Sequence, residues 1–158
     1  MSKFSLIAMG GTFDIIHHGH LTLLSTAFEI SEKVIIGLTS DEFVQKKGKN
    51  PIHKYDERLK NLTSIIFKKF PNSYFEISQL NNDFGPAVFE KEVQALVVSD
   101  ETKNQGNILN KLRTESNLSP VEIIVVPMTL AKDGKRISTT RIKNSEIDSD
   151  GNLLPIDK

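Results

Sequence analysis

A chain of 158 residues is long enough to bury a real core and is read as one domain spanning residues 1–158. Its 20 Lys and Arg balance 20 Asp and Glu, so no positive excess steers it to nucleic acid or to an anionic membrane. The absence of cysteine excludes disulfides, thiolate metal sites and cysteine nucleophiles.

The first apolar run, residues 4–9, reads as a buried strand and is too short for a secretory signal core. No run approaches membrane-spanning length, and these features together point to a cytoplasmic protein. A helix is predicted over 18–30, with Leu21, Leu24, Ala27 and Phe28 on one face. A second β-branched run covers 34–38. Residues 41–53 are polar and Lys-rich, with Gly48 and Pro51, and most of this segment reads as loop. A second amphipathic helix covers 56–70, with Leu59, Leu62 and Ile66 in register. Strands follow at 74–80, 95–99 and 121–127, with a helix over 104–115 and a last short helix from Ser138. The runs are near-continuous rather than alternating, as strands covered on both faces should be. The expected fold is therefore α/β: a single doubly wound, Rossmann-like domain of about five parallel strands with helices on both faces.

Chemistry concentrates in the first strand-to-helix turn, Gly10-Gly11-Thr12-Phe13-Asp14-Ile15-Ile16-His17-His18-Gly19-His20. In a doubly wound sheet ligands bind beyond the carboxyl ends of the strands. Two glycines there let the backbone approach a phosphate, the helix offers unpaired N–H groups, and Thr12 adds a hydroxyl. His17 and His20 stand three apart, a spacing that brings both imidazoles to one face, where they can donate to charge developing on a triphosphate. A metal site needs a third ligand, and the remaining histidine besides His18, His53, lies in the Lys-rich loop. The spacing matches neither the dinucleotide fingerprint G-x-G-x-x-G nor the P-loop signature G-x-x-x-x-G-K-S/T. A second segment, Ile137-Ser138-Thr139-Thr140-Arg141, opens a predicted helix with hydroxyls suited to capping or to phosphate oxygens.

These two segments together resemble the nucleotidyltransferase superfamily related to class I aminoacyl-tRNA synthetases, with its (H/T)xGH motif and late I-S-S/T-T segment. Within it, Val97-Val98-Ser99-Asp100-Glu101-Thr102, Leu109-Asn110-x-x-Arg113, Asn82-Asp83-Phe84-Gly85-Pro86-Ala87 and Asp133-Gly134-Lys135 resemble the archaeal phosphopantetheine adenylyltransferases. The bacterial branch carries R-G-x-R where Ser99–Thr102 stands here. Glycerol-phosphate cytidylyltransferase and archaeal FAD synthetase share both main motifs but carry R-T-x-G where Asp133-Gly134-Lys135-Arg136 stands. A non-catalytic nucleotide-binding module is the alternative of another class.

The resemblance implies transfer of the adenylyl group of ATP to 4′-phosphopantetheine, giving dephospho-coenzyme A and pyrophosphate. It implies catalytic roles for His20, His17 and Thr12, and an ATP site of Gly11, Thr12, Phe13, His17, His20, Ser138, Thr139, Thr140 and Arg141. The acceptor would meet Thr12, Ser99, Glu101, Thr102 and a lysine among Lys46, Lys47 and Lys49, of which Lys47 is favoured. Mg²⁺ is expected to arrive with ATP, with no dedicated protein ligands. Asp14 is open to two roles, magnesium ligand or, the favoured one, a carboxylate that holds the turn. The expected partners are the two small-molecule substrates, with neither nucleic acid nor membrane, and a homo-oligomer is left open.

Overall fold

Short stretches of β-branched and aliphatic residues form the centre of the molecule, because they pack on both sides of a pleated surface. A computed structural model describes residues 3–88, 90–100, 102–127, 142 and 151–152. Its strands are β1 (Phe4–Gly11), β2 (Ser31–Thr39), β3 (Phe75–Leu80), β4 (Ala95–Ser99) and β5 (Glu122–Val126). All pair in parallel, in the order β3-β2-β1-β4-β5. The helices are α1 (His18–Ile30), α2 (Asp41–Lys46), α3 (Tyr55–Lys69) and α4 (Lys103–Glu115).

Successive strand residues point to opposite faces, and the core divides accordingly. Ile7, Met9, Val34, Ile36 and Val97 pack with Leu24 of α1 and Leu62 and Ile66 of α3. Ala8, Ile35, Leu96 and Val98 pack on the other face with Leu109 of α4. Each fully buried Leu or Ile contributes about 1.5–3 kcal/mol, so packing against the sheet holds the helices more than their own propensity does. The doubly wound α/β architecture expected from the sequence is the one observed.

One element was not expected. Within the segment read mostly as loop, residues 41–46 form α2, and 47–53 are the loop expected. Ser40 caps it by accepting from the Phe43 N–H at 3.1 Å, Asp41 and Glu42 sit in its first turn, and Val44 is buried beneath it.

The strand order places the site. From β1 the chain steps outward through β2 to β3, then returns to the other side of β1 for β4 and β5. At this switch point the connections leave the sheet on opposite faces, opening a crevice at the carboxyl ends of β1 and β4. No described helix is long and apolar enough to cross a membrane.

Candidate active site

The turn after β1 is built around buried rings. Phe13 has φ of 50°, which brings its buried side chain back over the end of the strand. A Cβ on Gly11 would lie 3.0 Å from the Phe13 ring. A Cβ on Gly10 would lie 3.2 Å from Leu80 and 3.3 Å from the Gly37 carbonyl oxygen. Both glycines therefore answer to packing within the protein, a reason separate from the approach to phosphate expected from the sequence. Phe13 is likewise a core side chain, so its contribution to a nucleotide site would come from its backbone.

His17 is the N-cap of α1, with extended backbone, rather than a residue of its first turn. The Gly19 N–H donates to His17 Nδ1 at 3.1 Å, and the His17 N–H donates to His20 Nδ1 at 3.2 Å. This is a capping box in which both partners are imidazoles. The two rings stack with centroids 3.9 Å apart, and Phe13 packs on His20 at 4.9 Å. Gly19 is required here, because a Cβ would lie 2.9 Å from His17 Cε1. With Nδ1 accepting, each neutral ring carries its hydrogen on Nε2. Burial, and next the neighbouring His17, lower the His20 pKa to about 3, so His20 is a neutral N–H donor at physiological pH.

Arg58 ties this turn to its neighbours. It is fully buried, and its guanidinium donates to the carbonyl oxygens of Thr12 at 3.0 Å, Thr39 at 2.8 Å and His53 at 3.1 Å. It also pairs with Asp41 at 3.0 Å, whose same oxygen accepts from the Tyr55 N–H at 2.9 Å. Asp14 is buried, and its carboxylate accepts from the backbone N–H groups of Ile52 and His53, each at 2.9 Å. The His53 ring meets the same carboxylate at 3.1 Å. Asp14 thus holds Ile52 and His53 against the turn, in keeping with its structural reading. Among the described residues no group of three or more His, Asp or Glu side chains could hold a metal ion.

A cavity of about 250 Å³ opens over the strand ends. Gly11, Thr12, Phe13, His20, Ser99 and Thr102 all line it. His17 is not among the lining residues; its ring supports His20. The Ser99 and Thr102 hydroxyls lie 3.2 Å apart, and the Ser99 N–H donates to Thr102 Oγ1 at 3.2 Å, which fixes the turn between β4 and α4. Lys47 and Lys49 both line the cavity. Lys47 Nζ lies 2.7 Å from Asp83 and over the Phe43 ring at 4.7 Å. Glu101, Ser138, Thr139, Thr140 and Arg141, together with the 133–135 segment and the last predicted helix, lie outside the described residues.

Sequence reasoning missed Thr39, Leu80, Phe84, Ala87 and Gln105, which also line the cavity, and Arg58 beneath it. Arg58 left a trace: it stands in register with Leu62 and Ile66, a charge on an apolar stripe. Arg113 leaves the same trace after Leu109, and it too is buried. It donates to the carbonyls of Ala87, Glu90 and Ser119 at 2.7, 2.9 and 2.8 Å, fixing the segment before β4.

Comparison with known proteins identifies the family. The cytidylyltransferase-like family model matches residues 8–145. The chain is 40% identical over 155 residues to the phosphopantetheine adenylyltransferase of Pyrococcus horikoshii, covering 98% of each. It is 39% identical over 152 residues to the phosphopantetheine adenylyltransferase of Methanothermobacter thermautotrophicus, covering 96% of this chain and 91% of that one. Among solved structures, a protein of unknown function from Archaeoglobus fulgidus superposes with a TM-score of 0.69 at 27% identity, covering 78% of this chain and 89% of the other.

Proposed function

We propose, because this chain belongs to the cytidylyltransferase-like family and within it to the phosphopantetheine adenylyltransferases, that it transfers the adenylyl group of ATP to 4′-phosphopantetheine. The products are dephospho-coenzyme A and pyrophosphate. The observation that carries the reading is one cleft that gathers a neutral imidazole donor, His20, a hydroxyl, Thr12, and an ammonium, Lys47, over the ends of parallel strands.

In this reading an oxygen of the acceptor phosphate attacks the α-phosphorus of ATP, the bond to the β-phosphate breaks, and pyrophosphate leaves in line. The attacking phosphate is already anionic, so no strong base is required, and positioning and charge neutralisation supply the rate. His20 donates its Nε2–H to an α-phosphate oxygen, while His17 sets the tautomer and plane of that ring. Thr12 sits between the substrates and orients the acceptor phosphate. Lys47, now answered by Asp83, turns to that phosphate as it enters. Ser99 and Thr102 border the acceptor side, together with Glu101. Ser138, Thr139, Thr140 and Arg141 serve the β- and γ-phosphates, as the family resemblance implies.

Mg²⁺ enters as part of the ATP substrate, where it neutralises charge on the triphosphate oxygens. The Asp14 carboxylate is engaged by Ile52 and His53, which favours ATP rather than the protein as the main source of its ligands. The same reading puts the enzyme in the cytoplasm, beside its two small-molecule substrates.

Pyrophosphate release tests the assignment, with Mg-ATP or Mg-CTP as donor and phosphopantetheine, glycerol 3-phosphate or FMN as acceptor. Release only with ATP and phosphopantetheine is the expected result. Release with CTP and glycerol 3-phosphate, or with ATP and FMN, would move the chain to a sister activity. Silence with every pair would favour a binding module.

A further inference from the structure

We propose that Thr39, held by Arg58, is a positioning residue that turns the Thr12 hydroxyl hydrogen into the cleft, toward the acceptor phosphate. The inference rests on the adenylyl-transfer reading above. Thr39 ends β2, is buried, and nevertheless lines the cavity.

The argument is one of hydrogen-bond polarity. A guanidinium can only donate, and Arg58 Nη1 lies 2.8 Å from the Thr39 carbonyl oxygen and 3.4 Å from Thr39 Oγ1. Nη1 has two hydrogens, directed at the Thr12 and Thr39 carbonyls at 3.0 and 2.8 Å. Its contact with the Thr39 hydroxyl oxygen at 3.4 Å is therefore a weak shared one that still places a donor on that side, and the hydroxyl hydrogen goes to Thr12 Oγ1 at 3.1 Å. Thr12 Oγ1 in turn accepts, which leaves its own hydrogen for a further acceptor. Among the described residues the bond from Thr39 is the hydrogen bond made by the Thr12 side chain.

The consequence is a directed chain, from Arg58 through Thr39 to Thr12, that ends in a donor on the wall of the cavity that Lys47 also lines. An anionic oxygen suits that end. A hydroxyl left to rotate could instead present a lone pair, which an incoming phosphate would have to turn around. Arg58 also grips the Thr12 carbonyl at 3.0 Å, so the backbone of that residue is fixed independently of Thr39. Removing the Thr39 hydroxyl therefore isolates the polarity of the chain from the position of the turn.

The test compares Thr39→Val, which keeps the shape and loses the hydroxyl, with Thr39→Ser, which restores it. Loss of one neutral hydrogen bond in Thr39→Val should lower kcat/KM for phosphopantetheine about 10-fold. KM for ATP and the melting temperature should stay near wild type, and Thr39→Ser should recover to within about twofold. Should the valine variant fail to fold, Thr39→Ala makes the same comparison. Unchanged acceptor kinetics, an equally impaired serine variant, or parallel losses for ATP and acceptor would overturn the proposal. An active wild type with an unaffected valine variant removes the Thr39 role alone. A wild type that uses no phosphate acceptor removes the reading beneath it as well.

Discussion

His20 is placed to act as a neutral donor. Its Nδ1 is occupied by the His17 N–H, and burial lowers its pKa to about 3. His20→Ala should therefore lower turnover by about 10²–10³ while the protein still folds, as read by kcat and thermal melting. Full activity, or loss of the fold, would contradict the role. The sign of the pH effect follows from linkage: between pH 6.5 and about 3 the unfolded chain binds a proton at His20 that the folded chain does not. Stability in the free enzyme thus falls as pH drops through that window, and urea titrations of His20→Gln should show a shallower fall. At this scale the sequence made the turn legible, because glycine, hydroxyl and imidazole occur within eleven residues, 10–20. Arg58 was not legible as part of the site. Its carbonyl partners at Thr12, Thr39 and His53 come together only through the fold, and periodicity reports no such contact.

The floor of the cleft depends on how elements meet. Leu80, at the end of β3, packs against three positions that lack side chains. A Cβ on Gly37 would fall 2.6 Å from Leu80, and one on Gly85, where φ is also +50°, would overlap the Leu80 side chain. Gly37→Ala should therefore overpack this junction, at a cost of about 1–3 kcal/mol in denaturant unfolding. It should also raise KM for the acceptor by driving Leu80 into the cleft, and Leu80→Ala in the same chain should recover part of the stability. A neutral Gly37→Ala would show that the floor yields more readily than its spacing implies. The long elements were legible from their apolar periods. Helix α2 was not, because six residues are too few to show a period, and its signal is the local cap of Ser40 followed by Asp41 and Glu42. Gln105 was missed for the opposite reason: α4 was expected, but which of its polar residues faces the cleft depends on how it docks against the sheet.

Among the described residues a reversal of strand order makes a crevice, and two buried arginines fix its rims. Arg58 joins the turn after β1 to the end of β2 and the start of α2, and Arg113 fixes the segment before β4. The α/β class was legible because five near-continuous apolar runs admit few other arrangements. The substrate was not legible in the fold, which serves many chemistries, and came instead from the motifs and the similarity to full-length relatives. The central claim is that an oxygen of the acceptor phosphate becomes bonded to the α-phosphorus of ATP as pyrophosphate leaves. It is tested most directly with phosphopantetheine carrying heavy oxygen in its phosphate and with unlabelled ATP, followed by mass spectrometry of the products. All of the label should appear in dephospho-coenzyme A, including the oxygen bridging the new phosphorus pair, and the pyrophosphate should carry none. Label in the pyrophosphate, or no dephospho-coenzyme A at all, would contradict the account.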